Sequence, residues 1–302
     1  MIRIGGCVQT DHLKGLILTI VGVLVLTPDT LLIRLAAADH WTLVFWRGSL
    51  MAAVLFVAII WNERSNSRMA FLKIGRIGVL IGICYGLGSV FFVSAVTYSG
   101  VANTLIIIAS APMFAAILAR IILSELVPLR TVLAIIATFI GIAIVVSGKM
   151  SGTNLTGSFL ALGTALVMAM AFVLVRLVKS VNMVPATMIG GILGAVAAYI
   201  YGTSSPFEIS GDQIIWILLM GAVVLPISFG LVTLGPRYLP APEVGLILLL
   251  ETVLGPLWVW LVLDEGVSAQ VLTGGAIVVF ALLIHSIRGL QVSLDLRKEN
   301  RG

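Results

Sequence analysis

A chain of 302 residues that is 60% hydrophobic and only 10% charged cannot bury its apolar surface in a water-soluble fold, because soluble domains average about 25% charged residues. Its solvent is lipid. The net charge of +5 does not indicate a nucleic-acid partner, since the bases fall in short loops between apolar runs.

Roughly 20 apolar residues cross a hydrocarbon core, and on that template ten spans follow in order: 13–35, 41–61, 75–97, 101–122, 130–147, 155–178, 184–202, 213–235, 242–263 and 267–287. Ala36 and Ala38 after the first run resemble a signal-peptide cleavage site. That run is too long for a signal sequence, however, and carries Pro28, Asp29 and Arg34, so it is expected to stay as a span. Connections such as Ser99-Gly100 are short, which makes neighbouring spans antiparallel. Continuous apolar runs exclude a β-barrel. Cys7 lies in the N-terminal tail and Cys84 inside a span, so neither a disulfide nor a metal set is expected.

Orientation follows from the bases. With the N-terminus in the cytoplasm, every Lys and Arg lies inside except Arg34, Lys149 and the intramembrane Arg47. Asp39, Glu208, Asp212, Asp264 and Glu265 lie outside. Both termini are therefore expected in the cytoplasm, with residues 289–302 as a basic tail.

The chain also repeats itself. At a shift of 142 residues, Gly15, Leu18, Leu24 and Arg34 meet Gly157, Leu160, Leu166 and Arg176. From the third span the shift is 140, and Tyr98, Leu123 and Glu125 meet Tyr238, Leu263 and Glu265. The halves are 13–147 and 155–288, with five spans each. An odd number inverts one half relative to the other, the arrangement in which secondary transporters place a substrate site at the midplane between repeats.

The run Ala109-Ser110-Ala111-Pro112-Met113-Phe114, then Ser124-Glu125 and a span with Gly141, resembles the repeat ending of EamA-type carriers in the drug/metabolite transporter superfamily. Glu251 and Glu265 look like the same ending in the second half. The resemblance covers residues 13 to 288 and implies a ten-helix, all-α integral membrane protein of two inverted five-helix repeats in the inner membrane, often exporting amino acids or other metabolites. Where that family's second half commonly has Glu-Pro, this chain has Glu251-Thr252. Pro256, one turn later, is the remaining candidate for a helix break.

Three charges lie deep in the spans, and none recurs in the other half: Asp29, Arg47 and Glu251. A charge there costs roughly 2.5–3.5 kcal/mol on insertion scales, so it is normally functional or paired. Asp29 and Arg47 each lie about 8–9 Å below the outer surface, so they are placed to pair. That pair serves either as a structural clip or as a gate or binding site. Glu251 lies about 13 Å from the inner end of its span, near the midplane. There it serves as a proton or ammonium site, or only as a neutral hydrogen-bonding group.

Tyr85, Ser110 and Ser228 lie at similar depth and are candidate cavity residues. Pro28, Pro112, Pro226 and Pro256 are candidate helix breaks beside the site. Gly82, Gly86 and Gly88 are expected to serve helix packing. The repeated charges Arg34, Arg176, Glu125 and Glu265 sit at span ends and are expected to be structural. His285 is expected at the interface.

The leading expectation is a non-enzymatic secondary carrier of a small polar metabolite, an amino-acid or metabolite exporter coupled to protons. It needs no cofactor, metal or nucleic acid, only substrate and bilayer, and a monomer suffices. The rival is an intramembrane enzyme acting on a lipid-linked substrate. It is disfavoured because the three histidines, His12, His40 and His285, fall on different sides. No Gly-Lys-Ser/Thr phosphate loop is present for ATP-driven pumping, and no rings of like charge suit a channel.

Overall fold

The computed structural model describes residues 4–63, 67–147, 155–202 and 205–263, and beyond these only positions 273, 274, 276, 277, 280, 281 and 284. The tenth expected span, Glu265, His285 and the 289–302 tail therefore lie outside the described residues or nearly so.

Among the described residues the chain is all helical, and eight helical stretches are long and apolar enough to cross a membrane. The first is α1 (Ile4–Leu26) continued by α2 (Asp29–Ala36). Then come α3 (His40–Glu63), the short α4 (Ser67–Lys73) and α5 (Gly75–Ser99). The next stretch is α6 (Val101–Ile108), α7 (Ala111–Leu118) and a π-helical turn (Ala119–Leu123). It is followed by α8 (Leu129–Ser147), α9 (Leu155–Leu177) and α10 (Val184–Tyr201). Last come α11 (Gly211–Leu218), a second π segment (Leu219–Val224), α12 (Leu225–Tyr238) and α13 (Ala241–Leu263). The short α4 was not anticipated, because its seven residues fall in what the sequence shows as a loop.

The helices are inside-out relative to soluble ones. On α9, Ala161, Ala165 and Ala169 are fully buried at i, i+4 spacing, while Leu155, Phe159, Leu162 and Leu166 are exposed. Large side chains face lipid, and small ones let backbones approach. Backbone meets backbone where α3 crosses α10. A Cβ on Gly48 would run into the carbonyl of Gly191, and one on Gly191 would sit 2.7 Å from the carbonyl of Gly48. Next to it, Gly82 and Gly86 of α5 abut Ile189 and Gly190 of α10, as expected of packing glycines. Gly88, in contrast, lines a central cavity. Gly48→Ala is expected to destabilise the protein by at least about 1–3 kcal/mol, because backbone cannot move aside as a side chain can. A thermal melt in detergent checks this.

The most extensive packing runs between the sequence halves rather than within them. α9 packs on α5, and α1 packs on α12; α9 also meets α7, and α1 meets α13. Under the repeat register these are equivalent contacts, and α3 on α10 and α7 on α13 are each their own equivalent. The correspondence reaches single residues. Gly15 abuts Tyr238 and Leu239, and its counterpart Gly157 abuts Ser99, the counterpart of Leu239. The two repeats thus interleave into one bundle, and residues from both line its interior.

The two ends differ. One gathers Lys14, Arg176, Lys179 and Arg237 around Tyr238: Lys14 lies 5.1 Å from that ring, and Arg237 donates to the Lys179 carbonyl at 2.9 Å. There Arg176 pairs with Glu125 at 3.0 Å, the structural role expected of these two charges. The other end carries an aromatic cluster of His40, Trp41, Phe45, Trp46, Tyr98, Tyr201 and Phe207, the composition of a membrane-interface belt.

Candidate functional site

Three of the helix interruptions that shape the site fall at proline positions. Pro28 has no N–H to give the carbonyl of Leu24, four residues back. The Thr27 hydroxyl takes that carbonyl instead, at 2.9 Å. In lipid such a freed carbonyl must find a partner. The chain turns there and restarts as α2, with Asp29 in its first turn, where the helix dipole favours an anion. The fourth span breaks at Ala109-Ser110, just before Pro112. Gly245 of α13 crosses directly against Pro112. In the eighth span Pro226 follows the π segment Leu219–Val224, since a proline that cannot bond four residues back favours a wider turn before it. Pro256 behaves differently from expectation: α13 runs through it unbroken. A membrane helix tolerates proline where neighbours satisfy the freed carbonyl.

Asp29 and Arg47 meet. The Arg47 Nη1 donates to Asp29 Oδ1 at 2.5 Å, and the side chains are only 4% and 1% exposed. The same nitrogen lies 3.1 Å from Met220 Sδ, and the guanidinium sits 5.8 Å from the Phe92 ring centre, a cation–π distance. Met220 belongs to the π segment, so the irregular turn delivers the sulfur to the arginine. One donor is left over: Arg47 Nε is buried and has no partner among the described residues.

Glu251 lies across the same cavity and interacts electrostatically with both Asp29 and Arg47. It is 9% exposed and forms no hydrogen bond among the described residues. A buried carboxyl without a protein partner is a costly arrangement, and here it opens onto cavity space. The rest of the lining is mostly apolar, with Met51, Phe92, Met168, Phe172 and Phe229 prominent. The cavity holds about 90 Å³, well below the roughly 300 Å³ at which small-molecule pockets begin.

Of the other expected residues, Tyr85 lines the cavity, shares a hydrogen bond with Thr233 at 3.0 Å, and stacks edge-on against Phe229. Ser110 and Ser228 do not line it. Their hydroxyls bond back to their own helices, to the Ile107 carbonyl at 2.7 Å and the Leu225 carbonyl at 3.2 Å. This is the habitual satisfaction of a serine hydroxyl in an apolar helix.

Several participants were invisible in the sequence. Met220 and Phe92 look like ordinary apolar span residues. Trp258 donates to the Thr27 hydroxyl at 2.9 Å, tying α13 to the α1–α2 break. Glu243 was overlooked at the start of α13. It is 5% exposed and joins α1 and α8 through His12 at 3.3 Å and Arg130 at 3.4 Å. Its only sequence signal is an acid in a helix's first turn after Pro242.

Comparison with known proteins agrees with this architecture. The model of the EamA-like transporter family matches residues 13–147 and again 155–287. The uncharacterized transporter YyaM of Bacillus subtilis (strain 168) is 33% identical over 109 residues, 34% of this chain. The match spans about a third of that protein, 33% of its length. A solved crystal structure, described only as that of a protein, superposes with a TM-score of 0.73 over 92% of this chain and 98% of its own, at 16% identity. That likeness concerns the fold alone. The chain is a multi-pass membrane protein, and it belongs to the EamA-like transporter family.

Proposed function

We propose that the protein is a secondary carrier that exports a small zwitterion with an apolar side chain, an amino acid or close relative, in exchange for protons. The observation that carries the reading is the pairing of two unmet groups across one cavity. Among the described residues Arg47 Nε is a buried N–H without an acceptor, and Glu251 lines the same cavity without a hydrogen bond. A carboxylate seated on Arg47 and an ammonium seated on Glu251 would satisfy both, and such charge-assisted bonds are the strong ones. The phenylalanine and methionine lining would receive the side chain.

In this reading the tenth span completes two inverted halves, and both termini lie in the cytoplasm of an inner-membrane protein. The clustering of bases at one end and aromatics at the other supports that orientation. Alternating access exchanges the conformations of the two halves. The three interrupted spans surround the cavity and supply the bends. Substrate binding is expected to part them, since about 90 Å³ is small for an amino acid with a bulky apolar side chain. Glu251 carries either the proton or the substrate ammonium, and that exclusivity couples the two fluxes.

Reconstituted vesicles loaded with a panel of amino acids test the proposal. Efflux of apolar or aromatic members driven by an inward proton gradient is the expected result. A folded protein that moves none of them, and shows no thermal shift with any, contradicts it.

A further inference from the structure

At the base-rich end of the bundle lies a second cavity, unconnected with the first in its lining. It is a cleft of about 400 Å³ between the last turn of α3, the short α4, the α9–α10 turn and the end of α12. Among the described residues its polar lining is Lys73, Arg237, Asn62, Ser180 and Asn182, with no carboxylate among them. Neither cation is ion-paired among the described residues. Arg237 spends Nε on the Lys179 carbonyl at 2.9 Å, which leaves its two terminal nitrogens as donors. Asn182 spends its oxygen on the Val184 N–H at 3.1 Å, which leaves its amide N–H₂ as a donor. The start of the 18-residue α10 also lines the cleft and adds the positive end of a helix dipole. The cleft therefore offers donors and positive charge, and its chemistry calls for an oxyanion.

The surface beside it is apolar. Trp61 is 80% exposed and Leu72 65% exposed, and α4 buries none of its residues. A short helix of that kind between two spans lies along the membrane interface. A donor cleft there, flanked by an exposed tryptophan and leucine, matches a ligand with an anionic head and acyl chains.

We propose that this cleft binds the phosphate group of an anionic phospholipid, with the acyl chains against Trp61 and Leu72. The site does not depend on which substrate the central cavity carries.

Native mass spectrometry of the intact protein, titrated with phosphatidylglycerol or phosphatidylcholine, tests it. Phosphatidylglycerol is expected to bind, and phosphatidylcholine far more weakly. Lys73→Gln is expected to weaken phosphatidylglycerol binding about five-fold, the worth of one base near an anionic headgroup, and Lys73→Arg to restore it. Lys73 makes no hydrogen bond among the described residues, so these variants are expected to fold normally. Arg237→Gln, which also loses the Lys179 contact, serves as the second variant and should compound the loss. Equal binding of the two lipids, or binding that both glutamine variants leave unchanged, overturns the proposal. Inorganic phosphate is expected not to displace the lipid. If it does so at comparable concentration, the cleft is a free-phosphate site and the lipid assignment fails.

Discussion

Glu251→Gln is expected to abolish proton-driven flux while leaving the protein folded. The substitution keeps the shape of the side chain and removes its charge. Glu251 makes no hydrogen bond among the described residues, so the fold loses no partner. Relieving a buried, unpaired carboxyl is expected to leave the melting temperature unchanged or raised. Ligand binding is expected to suffer. A hydrogen bond to a charged group contributes about 1.5–3 kcal/mol, so the substrate Kd should rise roughly ten- to 150-fold. Net flux should also lose its dependence on the proton gradient, because the amide cannot exchange a proton. Flux assays at two external pH values, with a melt of the same preparation, separate these effects. Unchanged flux with unchanged pH dependence removes Glu251 from the mechanism.

Asp29 and Arg47 are expected to give the largest loss of stability in the molecule. Removing one partner of a buried pair leaves the other charge in an apolar interior, at a cost of about 3–5 kcal/mol. The two single variants are not expected to be equal. In Asp29→Asn the arginine keeps Met220 Sδ and the Phe92 ring. In Arg47→Ala the aspartate keeps only the dipole of α2, and this variant should be the more damaged. Replacing both with apolar residues of similar volume, Asp29→Leu with Arg47→Met, is expected to recover most of the stability. It should not recover transport, because Arg47 also supplies the donor for the substrate carboxylate. Melts and flux of the four proteins decide the matter. A double variant that transports normally shows the pair to be a structural clip only.

The parts of this fold that were legible in the sequence are those governed by the bilayer. Span length and apolar continuity follow from hydrocarbon thickness, so the eight long apolar stretches were readable to within a few residues, whereas the expected span 130–147 is helical but not among those eight. The repeat was readable because Gly15 and Gly157 hold equivalent close contacts in the two halves, against Leu239 and its counterpart Ser99. The three deep charges announced themselves by their cost in lipid. What could not be read depends on three-dimensional approach. Met220 reaches Arg47 only because a π segment rotates it there. Ser110 and Ser228 stood at a plausible depth, yet their hydroxyls turn back to their own helices, a choice set by rotamer and local carbonyl. Pro256 carries the residue type of a helix break without making one. Glu243 failed to stand out because it lies at a span end, where acids are ordinary; its burial arises from α1 and α8 closing over it.

In the proposed mechanism one ligand bridges Arg47 and Glu251 inside the bundle. A structure determined with a transported amino acid bound shows directly whether it does. The ligand carboxylate is expected within hydrogen-bonding distance of Arg47, its ammonium on Glu251, and its side chain among Phe92, Phe172 and Phe229. A ligand seated elsewhere, or a Glu251 side chain turned toward lipid, contradicts it.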